Sequence, residues 1–147
     1  MKRAYKIYTP EYYQRIHELE EQKYWWSCGM TEIAASMLDK YIGKGSDISI
    51  LDAGCGTGFF MDWLRRYAPK SIIGVDISMH ALEFSRCRHS TVYQASVVNL
   101  PFSDASFDLI AAAAKVIMVT AANIDRIALG RTIVDFIGFL PFLKHQG

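Results

Sequence analysis

Three things are scarce in this sequence. Cysteine is limited to Cys28, Cys55 and Cys87 among 147 residues. An odd number, with no CxxC pair and no Cys/His cluster, supports neither a disulfide framework nor a metal site, and free thiols suit a reducing compartment, the cytoplasm by default. A surplus of one charge is also missing: 16 Lys+Arg stand against 15 Asp+Glu, a net charge of +1. A chain that lives on phosphate backbones would show a basic excess, so no nucleic-acid partner is expected. The third absence is a long apolar run. The opening MKRAYKIYTPEYYQ has no signal-peptide core. The apolar stretch after residue 110 is broken by Lys115, Asp125, Arg126, Arg131 and Asp135, short of the ~18 residues that suggest a membrane span. What is present suffices for about one buried core, with 51% hydrophobic and 21% charged residues.

Periodicity then divides the chain. Thr9-Pro10 is an N-cap and first-turn pair, and it opens a helix over 10–24 with Tyr12, Ile16, Leu19 and Lys23 on one side. Met30, Ile33, Ala34, Met37, Leu38 and Tyr41 predict a second helix over 30–42, closed by a left-handed Gly43. From residue 48 short strands alternate with helices. Strands are expected at 48–51, 71–75, 91–94 and 107–111, and helices at 59–67 (inner face Phe60, Leu64, Tyr67) and 79–88, the latter capped by Ser78. That alternation predicts an α/β fold with a doubly wound, mostly parallel sheet of four to five strands behind an N-terminal helical leader. Three regions follow: a leader over 1–45, a core over 46–112 and an apolar tail over 113–147.

The chemistry concentrates in Ile50-Leu-Asp-Ala-Gly-Cys-Gly-Thr-Gly58. Glycines at 54, 56 and 58, directly after an apolar strand, allow a tight turn and a close ligand approach to the main chain. The next helix would offer its N-terminal dipole. A dinucleotide fingerprint would need Gly or Ala at position 59, where Phe59 stands, and this argues against a NAD-binding domain. With Asp52 just before the loop, the pattern suits a ligand with an amino-acid end, its carboxylate on loop N–H groups and its ammonium near Asp52. Asp76 ends the next strand, where a carboxylate can accept ribose hydroxyls. Cys55 reads as a packing residue, since no His or Lys is placed to activate it. Asp108 reads as structural, opening the fourth strand. His80 and His89 read as solvated. Tyr12, Tyr13, Trp25 and Trp26 either line a pocket or pack the leader on the sheet.

ILDAGCGTGFF, then GVDIS, then NLPFSDASFDLI resembles a class I S-adenosylmethionine-dependent methyltransferase of the broad methyltransferase-11 type, over about residues 48–112. The resemblance implies a Rossmann-like fold and S-adenosyl-L-methionine as cofactor. It places Asp52, Gly54, Cys55, Gly56 and Gly58 around the methionine part, Asp76 on the ribose and Ile77 against the adenine. The family's third strand usually ends in an acid that receives the adenine amino group. Here Ser96 stands in its place, with the Val97 backbone N–H beside it, which implies weakened affinity. No catalytic residue is implied, and the methyl acceptor, a small or lipid-like molecule, is not named by the motifs.

Beyond residue 112 the resemblance ends. In 111–147, 22 of 37 residues are apolar, above the chain average, and the Leu-x-Pro-Gly-Gly turn that usually precedes the fifth strand is absent. Residues 115–119 fit a strand or a helix equally, and 126–140 fits an apolar helix. Short of the family's seven strands, the chain is expected to be truncated or diverged there, leaving the fourth strand with an exposed edge. That edge and the tail could recruit a protein partner or a second copy. A functional methyltransferase and a non-catalytic cofactor-binding module needing a partner therefore both remain open.

Overall fold

A computed structural model describes residues 9–112, except 41, 44, 46, 89 and 90, together with the backbone of 115–120. The tail beyond 120, with its expected helix, lies outside the described residues, as do Tyr41 and His89.

The leader is a helical pair. Thr9 caps α1 (Pro10–Glu21) by accepting the Tyr12 N–H at 3.3 Å. The inward residue is Tyr13, while Tyr12, expected to face in, is exposed. Two polar residues account for the rotation: the His17 ring lies against Phe84, tilted, with centroids 5.1 Å apart, and Glu20 turns inward to ion-pair with Arg88. A reading by hydrophobicity cannot see such a face. The second helix, α2 (Trp25–Leu38), begins and ends earlier than the 30–42 expected and buries Thr31, Ala34, Ala35 and Leu38. Ile33 and Met37 face outward. Gly45 takes the left-handed conformation, at φ +77°. Gly45 donates its N–H to the Tyr67 carbonyl, and the Tyr67 hydroxyl reaches Asp39 at the end of α2 at 2.6 Å.

The core alternates as the pattern requires: β1 (Ser49–Ala53), α3 (Phe59–Leu64) with a 3-10 turn Arg65–Tyr67, β2 (Ser71–Asp76), α4 (Met79–Cys87), β3 (Thr91–Gln94), β4 (Leu109–Ala112) and β5 (Lys115–Thr120). Ser78 caps α4 by accepting the Ala81 N–H. The strands stand in the order β3-β2-β1-β4-β5. Four are parallel, and β5 runs antiparallel to β4. The ambiguity at 115–119 therefore resolves as strand. The fourth strand is not an open edge, because β5 pairs with it through Ile110↔Val119 and Ala112↔Lys115. Partner recruitment through a bare β4 edge is thereby corrected, because β5 occupies that edge.

Alternation along β1 divides the core in two. Ile50 packs with Leu38, Leu64 and Tyr67 beneath α2 and α3. Leu51 and Ala53 face the other way, onto Val75, Phe107 and Ile110, where the connector carrying Val97, Leu100 and Phe102 covers the sheet. Each fully buried aliphatic of this set contributes about 1.5–3 kcal/mol. Asp108 has the structural role expected of it. Its carboxylate accepts the Ser49 N–H at 2.8 Å and its own N–H donates to the Ser49 carbonyl at 2.9 Å, pinning the start of β4 to β1.

Candidate functional site

The strand order reverses between β1 and β4, and in such sheets ligands bind beyond the carboxyl ends of the strands at that switch point. The glycine loop leaves β1 there. Gly54, Gly56 and Gly58 all have positive φ, +81°, +54° and +80°. A Cβ on Gly54 or Gly56 would project into open space, so the missing side chains leave room above the loop. Gly58 is required by packing, since a Cβ there would meet Ser85 of α4.

The loop's N–H groups are mostly committed to the loop itself. Those of Gly54 and Cys55 donate to the Val75 carbonyl at 2.7 and 2.9 Å, and that of Gly58 to the Cys55 carbonyl. The Gly56 N–H donates to Asp76 at 2.9 Å, and the other Asp76 oxygen accepts the Ser78 N–H at 2.8 Å. The expectation that a ligand carboxylate would take these donors is corrected accordingly. Asp76, seen in the sequence as a ribose acceptor, also ties the loop to β2.

Beneath the loop lies the opposite kind of group. Asp52 is fully buried in mid-sheet, in register with Gly74 and Ala111, and neither carboxylate oxygen has a hydrogen-bond partner. Burial, reinforced by the charge of Asp76, pushes its carboxyl up to about 7. Burial also raises the Cys55 thiol, keeping it protonated and fitting it for packing against Met61 and Leu82 rather than for nucleophilic work.

A cleft of about 430 Å³ separates the loop from the leader. Tyr12, Tyr13, Tyr24, Trp26 and Met30 line it from the leader, and Cys55, Gly56, Thr57, Phe60 and Ala112 from the core. Of the aromatics left open by the sequence, Tyr12, Tyr13 and Trp26 line this cleft, whereas Trp25 is 67% exposed and lies outside it. The adenine-side candidates sit at the same edge of the sheet. Ile77, after β2, is 65% exposed. Ser96 follows β3 in a turn, its hydroxyl accepting the Val98 N–H at 3.4 Å, and Val97 packs against the core.

Sequence reasoning missed one cluster. Thr57, between two loop glycines, donates its hydroxyl to Glu20 Oε2 at 2.5 Å. Arg88 Nη1 reaches the same oxygen at 3.1 Å and the Thr57 carbonyl at 2.6 Å, while Nη2 reaches Glu21 at 2.8 Å. Burial raises the Glu20 carboxyl, and Thr57 and Arg88 oppose that shift. The participants are far apart in sequence and match no motif. The one available signal was a pair of acids at the end of a helix otherwise expected to turn apolar residues inward.

A Rossmann-like sheet with a glycine loop at its switch point, an acid at the next strand end and a buried carboxylate below is the architecture of a methyltransferase-type domain. A family profile described as "Methyltransferase domain" matches residues 50–130, and the chain belongs to that family, whose cofactor is S-adenosyl-L-methionine. A malonyl-[acyl-carrier protein] O-methyltransferase of Erwinia billingiae is 35% identical over 90 residues, 60% of this chain and 36% of that protein. A tRNA U34 carboxymethyltransferase of Campylobacter curvus is 38% identical over 68 residues, 42% and 23% of the respective chains. This chain thus spans about a third or less of those two relatives. Among solved structures, a Methanococcus maripaludis protein assigned as an S-adenosyl-L-methionine-dependent methyltransferase superposes with a TM-score of 0.60 at 20% identity, covering 76% of this chain and 53% of that one. That likeness is one of fold. Among the described residues no helix is long and apolar enough to cross a membrane.

The residues present fit the cofactor. Open space over Gly54 and Gly56 admits a ligand to the backbone, and the unpartnered carboxylate of Asp52 favours a cationic one.

Proposed function

We propose that this chain binds S-adenosyl-L-methionine at the carboxyl end of β1 and transfers its methyl group to a small, predominantly apolar acceptor held in the aromatic cleft. One observation carries the reading: the site has a buried, unpartnered acceptor in Asp52, while most of its loop N–H donors are already used. A pyrophosphate needs donors. An ammonium or sulfonium needs a negative partner.

In this reading Gly54, Cys55, Gly56 and Gly58 bed the methionine part, with Asp52 as counter-charge to its ammonium. Asp76 takes the ribose hydroxyls, since each carboxylate oxygen has a lone pair beyond the one given to Gly56 or Ser78. Ile77 covers the adenine, and Ser96 and Val97 meet its polar edge. When bound, the cofactor supplies an electrophilic methyl on positively charged sulfur, so transfer is a direct displacement. The work of this chain is then alignment and exclusion of water. Tyr12, Tyr24, Trp26, Met30 and Phe60 form an apolar wall that favours an apolar acceptor and holds it near the cofactor. The balanced charge of the chain and this lining support a small or lipid-like acceptor over a nucleic acid.

Titration calorimetry tests the reading. S-adenosylmethionine and S-adenosylhomocysteine are expected to bind the folded chain, and NAD is not. Asp52→Asn is expected to weaken binding of the sulfonium compound by about tenfold, the scale of a lost charge-assisted contact. No heat with either sulfur compound from a folded sample overturns the assignment.

A further inference from the structure

Arg88 stands at the end of α4, outside the loop and the cleft, yet it holds both sides of the site together. Its side chain is 9% exposed, and that of Glu20, its partner on the leader, is 12% exposed. Nη1 bonds at once to Glu20 Oε2 and to the carbonyl of Thr57, the residue between Gly56 and Gly58. Nη2 reaches Glu21, one residue further along the leader. Thr57 closes the ring by donating its own hydroxyl to Glu20. The Phe59 ring lies 5.9 Å from the guanidinium carbon. One cation therefore answers two acids of α1 and one carbonyl of the glycine loop, in a fork that suits arginine and that lysine cannot reproduce.

The placement gives this cluster more than a packing role. Glu20 and Thr57 both line the cleft, one from the leader wall and one from the loop. A shift of α1 must move the Thr57 carbonyl through Arg88 or break the Arg88–Glu20 pair, which is nearly out of water, where an abandoned partner is costly. We infer that Arg88, with Glu20 and Thr57, is a positioning clasp that couples docking of the leader helix to the shape of the cofactor loop. Binding of the cofactor and closure of the leader wall are then one equilibrium. The inference rests on the cofactor reading above and assigns that site a residue outside its motifs.

The test uses the full chain with S-adenosylhomocysteine as the probe, followed by calorimetry and by hydrogen exchange of the α1 amides. In the wild type the probe is expected to slow exchange along Pro10–Glu21. Arg88→Met is expected to lose about tenfold in affinity and to abolish that slowing, while β1 amides stay protected. Arg88→Lys should recover only part of the affinity. Arg15→Met, which breaks the exposed Arg15–Glu18 pair on the same helix, should leave affinity unchanged. A folded Arg88→Met that loses less than about threefold, or wild-type α1 amides that ignore the probe, overturns the clasp. Should Arg88→Met fail to fold, Glu20→Gln, which keeps the shape and removes the charge, is judged by the same limits. A wild type that does not bind the probe fails the cofactor reading itself, before any variant is made.

Discussion

Asp52 sits at zero exposure among apolar neighbours with no donor on either oxygen, so its proton is held more tightly in the folded chain than in the unfolded one. The sign follows. An unfolded aspartate loses its proton near the ordinary value of 3.8, and the folded one near 7. Stability is therefore full below the lower value and declines as pH rises toward the upper one, by about 1.4 kcal/mol per pH unit at most, then levels off. Urea unfolding between pH 4.5 and 8 is expected to show that decline, and Asp52→Asn to flatten it. An unchanged slope in the variant would assign the effect elsewhere. Asp52 could be picked out from the sequence because it precedes three glycines. Its want of a partner could not, since that depends on where the loop N–H groups turn.

At the level of elements, β2 lies close against α3 and the loop at Gly74. A Cβ on Gly74 would lie 2.3 Å from Met61 Sδ and 2.8 Å from Cys55 Sγ, so the strand accepts only glycine without displacing both. Gly74→Ala is expected to cost about 1–3 kcal/mol by overpacking, read as a lower denaturant midpoint. Ser78→Ala, which removes the cap of α4, should cost about 1 kcal/mol. Strands and caps were legible because alternation and Thr9 or Ser78 are local signals. Helix faces were less so. The register of α1 depends on His17 and Glu20 finding Phe84 and Arg88, and the true end of α2 depends on Asp39 meeting Tyr67. Those partners stand far along the chain, where periodicity gives no information.

Across the whole molecule, β4 is an interior strand, with β1 on one side and β5 on the other, while β3 borders the sheet. Native-state hydrogen exchange should place the amides of Leu109–Ala112 with the slow ones of β1 and β2, and those of Thr91–Gln94 among the faster. Edge-like exchange at Ile110 would contradict the β5 pairing. The reversal of β5 was hidden in the sequence because Lys115–Val119 satisfies helix and strand alike, and the direction of pairing follows from the short connection rather than from composition. That reversal bears on how the chain assembles. Among the described strands, each parallel pair must wait for residues joined through a long crossover, Ile50 for Ile72 and then for Leu109, whereas Ala112 and Lys115 meet almost at once. Hairpins close in about 1–10 μs, and distant pairings follow far later. The β4–β5 pairing is thus expected to close ahead of the parallel pairings, and to become stable only when β1 captures it.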